Sequence, residues 1–122
     1  MTRITGDKGE KIACKYLKKH GIKIVEKNYR AVRGEIDIIG MDGNCLVFFE
    51  VKTNSSPSDI PPELRVNTAK QRQIGKIAGA YLQEKKLYET DCRFDVISVT
   101  LGEKGNHVIS HIRNAFWLPG DL

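Results

Sequence analysis

Glu50-Val51-Lys52 sets a carboxylate and an amine two residues apart, and Asp37 stands upstream of them. On an extended chain alternate residues share a face, so Glu50 and Lys52 point together. The stretch Gly34–Thr53 reads as a hairpin: strand Ile36-Asp37-Ile38-Ile39, a turn signal at Asp42-Gly43, and strand Leu46–Lys52. With Asp42-Gly43 as the loop, Asp37 lies opposite Phe48 and diagonal to Glu50. With Gly43-Asn44 as the loop, Asp37 lies directly opposite Glu50. Either register puts Asp37 on the face of Glu50 and Lys52, whereas a loop of odd length turns it away.

Two carboxylates brought together in a poorly solvated sheet repel by about 4 kcal/mol at roughly 4 Å and an effective dielectric near 20. A shared proton, the Lys52 amine or a divalent cation would relieve them. Hard oxygen ligands of this kind suit Mg²⁺ or Mn²⁺. The chemistry that fits is phosphodiester hydrolysis. Asp37 and Glu50 would hold the metal and the Val51 carbonyl could add a ligand. The metal would polarise a phosphoryl oxygen and acidify a water. Lys52 would serve as a point charge beside that water or the phosphate.

These residues need elements to position them. Thr5–His20 is expected to be helical, with Ile12, Ala13, Tyr16 and Leu17 as its apolar stripe, Thr5 or Asp7 as cap and Gly21 as terminator. Glu10 falls on the buried side of that helix, which offers it two roles: a third acid at the site, or a first-turn glutamate favoured by the helix dipole. Ile22–Val32 reads as an edge strand guarded by Lys23, Lys27 and Arg30; Arg30 and Arg33 could touch phosphate or simply solvate that edge. The polar, proline-rich run Thr53–Pro62 is a loop leaving the strand of Glu50 and Lys52, able to close over a substrate or merely to connect.

A capping box at Thr68-Ala69-Lys70-Gln71 opens a second helix, with Ile74, Ile77, Ala78, Tyr81 and Leu82 facing a core and an end near Lys86. Lys70 and Arg72 oppose the dipole of that helix start, a conflict that a docked phosphate would remove; the plain alternative is a solvated surface pair. Arg93–Leu101 alternates as a strand, with Phe94 and Val96 on one side and Asp95, Ile97 and Val99 on the other. Asp95 reads as a structural partner for a nearby base. After a turn at 102–106, His107–Ile112 is a last short strand bearing a structural His111, and Phe116, Trp117 and Leu118 dock the C-terminus. The order α-β-β-β-α-β-β describes an α/β fold, a mixed sheet with helices on its faces.

A chain of 122 residues is expected to form one domain. Its net charge of +5 and pI near 9.2 are compatible with a nucleic-acid partner. No apolar run approaches the roughly 20 residues of a membrane span, and the first residues hold no signal-peptide core. Cys14, Cys45 and Cys92 are isolated and show neither metal spacing nor a disulfide framework, which fits a reduced cytoplasmic setting.

The arrangement of Asp37, Glu50-x-Lys52 and an upstream helical Glu10 resembles the PD-(D/E)XK nuclease superfamily. Longer strings sharpen this: Gly9-Glu10, Asn28-Tyr29-Arg30, Gly34-Glu35-Ile36-Asp37-Ile38-Ile39, Phe49-Glu50-Val51-Lys52-Thr53, Lys70-Gln71, Tyr81-Leu82 and Arg93-Phe94-Asp95-Val96 are similar to the bacterial YraN, or UPF0102, family. That family in turn resembles Holliday junction resolvases. The resemblance implies a restriction-endonuclease-like fold and DNA as substrate, with Glu10, Asp37, Glu50 and Lys52 as the site and Lys70-Gln71 in support. It also leaves a homodimer open, because a junction presents two equivalent strands. Asn54, where many relatives carry arginine, and Asp59-Ile60-Pro61-Pro62 depart from the family pattern.

Three readings therefore stand: a Mg²⁺- or Mn²⁺-dependent endonuclease acting on branched or single-stranded DNA; a non-catalytic nucleic-acid-binding or DNA-uptake accessory protein with a nuclease-like fold; and a protein in which the four charged residues form a structural ion network.

Overall fold

Apolar runs bounded by turns divide this chain into strands, alternating in exposure at the first edge and continuously buried at the centre. In the computed structural model, which describes residues 3–54 and 67–116, helix α1 (Arg3–Lys19) leads into strands β1 (Lys23–Ala31), β2 (Gly34–Asp42) and β3 (Cys45–Asn54). Helix α2 (Thr68–Glu84) and strands β4 (Cys92–Leu101) and β5 (His107–Ile112) follow. The strands form one sheet in the order β1-β2-β3-β4-β5. β3 and β4 are parallel and the other neighbours antiparallel. The expected α/β class, element order and mixed sheet are all present, and β1 is an edge strand as expected.

β3 lies at the centre and is buried on both sides. Leu46 and Phe48 pack with Ile36, Ile39, Phe94, Val96 and the α2 residues Ile74, Ile77, Ala78 and Tyr81. Val47 and Phe49 pack with Ile38, Ile97, Val99 and the α1 residues Ala13 and Leu17. Each helix thus covers one face of the sheet, and each aromatic of β3 anchors a different core. Burying such a side chain contributes about 1.5–3 kcal/mol, so the centre of β3 is held from both sides up to Glu50. Phe116 closes the α2 face, with its ring stacked 5.1 Å from Phe94. Trp117 and Leu118, expected beside it, lie outside the described residues, as does most of the proline-rich loop.

Two details differ from the sequence reading, and a third decides between the two hairpin loops it left open. α1 begins at Arg3, so Thr5 and Asp7 lie within it and do not cap it. α2 is capped by Asn67, not Thr68: the Asn67 side chain accepts the Lys70 backbone N–H at 2.9 Å. Between β2 and β3 the loop is Gly43-Asn44, since Asp42 pairs with Cys45. Gly43 takes φ +61, the left-handed value that suits glycine at the first position of a primed hairpin turn.

Candidate active site

β2 and β3 stay in register from Asp42↔Cys45 to Ile38↔Phe49. One further step would set Asp37 opposite Glu50, on the face of α2. Here the alternation breaks. Ile36 and Ile39 belong to the α2 core, and Ile38 to the α1 core, so Ile36 and Ile38 do not share a face. On the other side of β2, Asn28 lies between the paired residues Lys27 and Tyr29 with φ +53. The strands part at Asp37, and its carboxylate accepts the Val51 backbone N–H at 2.7 Å. Strict alternation therefore does not carry through Asp37, whose carboxylate meets the Val51 N–H and borders the α1 side while still feeling the Glu50 charge.

That side holds a cavity of about 390 Å³ lined by Asp37, Val51, Thr53, Glu10, Asn28 and Glu35, among others. Glu10 enters it because α1 lies very close to β3. A Cβ on Gly9 would stand 2.7 Å from the Thr53 Cβ, so glycine at this position lets the helix seat on the buried threonine. The Glu10 carboxylate accepts an amide N–H of Asn28 at 2.9 Å. Its pKa is raised, chiefly by burial and further by Glu35, while the Asn28 amide works the other way.

Glu50 is buried and sits among cations. Its Oε1 is 3.4 Å from the Lys52 Nζ and 3.7 Å from the Lys70 Nζ. Lys70, expected at a phosphate, therefore balances Glu50, and its backbone N–H is already taken by the Asn67 cap. Gln71 is half-buried and Arg72 exposed on the same helix turn.

Asp37 is provided for differently. Val51 N–H helps its charged form, but burial and the neighbouring Glu50 charge outweigh that help and push its pKa up to about 7. Glu10 and Glu35 add smaller contributions of the same sign. The structure thus brings Asp37 and Glu50 into electrostatic contact, with Glu10 in the same cavity as Asp37 and Lys52 and Lys70 gathered on Glu50. Among the described residues no group of three or more acidic, histidine or cysteine side chains stands close enough together to hold a metal ion. Mg²⁺ is commonly held by one or two carboxylates, with waters and substrate phosphate completing its shell. Asp37 is a carboxyl whose pKa is raised by burial and then by a neighbouring acid, and the second of these is what a cation would relieve.

Two residues that sequence reasoning gave no role shape this site. Asn28 holds Glu10, and Thr53 seats α1. The signal for the second was present in Gly9 directly before Glu10, since an invading glycine marks a close approach of backbone. Away from the site, Asp95 and His111 behave as the structural partners expected: the His111 Nε2 is 2.8 Å from the Asp95 Oδ2.

The three cysteines Cys14, Cys45 and Cys92 are free. No helix among the described residues is long and apolar enough to cross a membrane.

Comparison with known proteins places the chain in a family. The description "Uncharacterised protein family UPF0102" matches residues 9–99, which include Glu10, Asp37, Glu50 and Lys52. A UPF0102 protein of Geobacter metallireducens is 47% identical over 93% of this chain and 92% of its own length. One of Alkaliphilus metalliredigens is 41% identical over 95% of this chain and 100% of its own. Among solved structures, SfsA of Pyrococcus furiosus in complex with Ca²⁺ aligns with 92% of this chain and 63% of its own, at 14% identity and a TM-score of 0.38. From its residues 9–99 and its full-length relatives, the chain belongs to the UPF0102 family.

Proposed function

We propose that this protein is a divalent-metal-dependent endonuclease acting on DNA. The observation that carries the reading is Asp37: a carboxyl at the point where two strands part, with Val51 N–H as its donor and a pKa pushed to about 7 by burial and by Glu50. Perturbed acids of this kind in a cleft mark functional sites more often than chance.

Asp37 and Glu50 would hold Mg²⁺ or Mn²⁺, with the Val51 carbonyl as a further hard ligand. When bound, the ion would polarise a phosphoryl oxygen and make a water easier to deprotonate. The chain's own residues do the rest. Lys52, less than a third exposed, keeps its amine beside Glu50 and can donate to a phosphate that enters there. Lys70 shares the Glu50 charge, which leaves Lys52 freer to turn to the substrate. Glu10, its pKa raised by burial, can take or give a proton at the α1 side of the cavity. The net charge of +5 favours approach of a polyanion.

The test is cleavage of branched and single-stranded DNA by purified protein in Mg²⁺ or Mn²⁺. Asp37→Asn and Glu50→Ala should each lower the rate at least a hundredfold. Cleavage that persists in Glu50→Ala assigns the activity to another site or to a contaminant.

A second reading draws on a specific observation: the Glu50 charge is already met by two lysines within the fold. In that case the protein binds DNA without cutting it. Salt-dependent binding with no cleavage in any divalent metal, and binding retained in Asp37→Ala, would establish it.

A further inference from the structure

The β1–β2 hairpin ends in a turn that its residues do not favour. Ala31 pairs with Gly34, so Val32-Arg33 is the two-residue loop, with φ +50 at Val32 and +58 at Arg33. Positive φ at both positions is the type I′ turn, whose natural occupants are Asn-Gly or Asp-Gly. A β-branched residue in the left-handed region is a genuine outlier. The conformation is held from outside, because the Gln73 side chain on α2 donates to the Arg33 carbonyl at 3.1 Å. Strained positions that the surroundings over-determine cluster at ligand-contacting segments.

The tip is also exposed and charged in a particular way. Val32 keeps 52% of its surface in water. Arg33 beside it is exposed, and Arg30 pairs with Glu35 at 3.2 Å one step down the hairpin. Arg30 and Glu35 line the cavity that holds Asp37, Val51 and Thr53. The hairpin therefore rises from the wall of the candidate active site. At about 3.4 Å per residue, the tip stands roughly 7 Å beyond Glu35, which is about two base-pair rises along a duplex axis.

The geometry points to Val32-Arg33 as a rigid wedge that selects nucleic acid with interrupted base stacking, such as a branch, gap or nick. Val32 packs against a base face exposed at the interruption, as apolar wedges do in other protein–DNA contacts. Arg33 pairs with the adjoining phosphate. Intact duplex offers no open base step, so the wedge finds no seat there without unstacking. The inference rests on the nuclease reading for the identity of the substrate, and it adds which residues discriminate interrupted from continuous DNA.

The experiment uses the full chain and compares Val32→Asn/Arg33→Gly, a variant with the preferred type I′ residues, with the unaltered protein. Binding to a four-way branched DNA and to duplex of the same length is measured by fluorescence anisotropy in EDTA. Cleavage in Mn²⁺ is measured separately. The unaltered protein should prefer the branch by tenfold or more. The variant should melt several degrees higher, showing that it folds, and should lose most of that preference. Branch preference retained in the variant overturns the wedge, as does its absence from the unaltered protein. The two readings fail differently: preference without cleavage removes the nuclease and spares the wedge, and cleavage without preference does the reverse.

Discussion

Asp37 on β2 and Asp95 on β4 flank the same central strand, and the fold treats them in opposite ways. Asp95 pairs in register with Phe49, and Asp37 lies one residue beyond the partner of Phe49 on the other side. Asp95 is fully buried, yet three groups donate to it: Arg93 Nε at 3.0 Å, the Asn114 backbone N–H at 3.0 Å and His111 at 2.8 Å. Burial works against its charge, but the donors outweigh burial and hold its pKa below the usual carboxylate range. Asp37 is half-buried, takes the Val51 N–H, and faces another acid. One aspartate has its charge answered within the chain, and the other is left in deficit at a cavity. The deficit is the difference between a structural carboxylate and one that calls for a proton or a cation.

The largest effect that could break this contrast is on stability. Asp95→Ala would leave the His111 side chain, 6% exposed, without its anion and the Arg93 side chain, 14% exposed, with Asp42 at 3.0 Å in place of two carboxylates. Removing one partner from a buried charge pair costs about 3–5 kcal/mol, and urea unfolding should show it. Asp37→Ala should cost little or nothing, because it removes a repulsion along with one hydrogen bond. Equal losses at the two positions would erase the distinction.

A cation should act on one aspartate and not the other. Mn²⁺ at a hundred times its dissociation constant should raise unfolding free energy by about 2.7 kcal/mol. Asp37→Asn and Glu50→Gln should abolish that gain, and it should persist in a conservative change at the other centre, His111→Gln. Because a bound cation displaces the Asp37 proton, its affinity should weaken roughly tenfold per pH unit below about 7. A gain that is insensitive to pH between 5 and 7 would remove Asp37 from the ligand set.

The pH profiles of stability should also slope oppositely. Asp37 titrates near 7 in the fold and near 3.8 when unfolded, so between those values the native state binds the extra proton. Stability therefore falls as pH rises through that window. Allowing for solvent screening of a half-buried group, the fall is about 2 kcal/mol, and Asp37→Asn should flatten it. Asp95 has a lowered pKa, so its contribution is present above the unfolded value and disappears as pH falls through the folded one. Urea melts from pH 8 to well below the unfolded Asp95 value of 3.8 would resolve both limbs.

The contrast was only partly legible in the sequence. Strand alternation put Phe94 and Val96 opposite Ile97 and Val99, and the last strand has the bounds expected, His107–Ile112. Those faces are set by burial, which a period-two pattern reports directly. The role of Asp95 also followed, since an acid inside a core strand needs a base. The turn of Asp37 toward Val51 did not follow. It comes from a break in alternation at one residue, with left-handed Asn28 beside it, and no periodicity records a kink of that length. Lys52 and Lys70 converge on Glu50 from a strand and a helix widely separated in sequence, which spacing cannot show. Asn67 in place of Thr68 is a one-residue error among two good capping residues.

The smallest expected effect is the most discriminating for the site itself. The charges that raise the Asp37 pKa act in the order Glu50, Glu10, Glu35. Neutralising each in turn should lower that pKa by amounts in the same order, readable from the pH dependence of the Asp37 side-chain carboxyl carbon in NMR. Glu50→Gln should move it most, although Lys52 and Lys70 already stand on Glu50. Glu10→Gln should move it less, because Asn28 holds the Glu10 carboxylate. Glu35→Gln should move it least, since Arg30 at 3.2 Å already balances that charge at the surface. A Glu10 effect larger than that of Glu50 would shift the centre of the site from the strand pair to the α1 side of the cavity. The cation would then belong between Glu10 and Asp37.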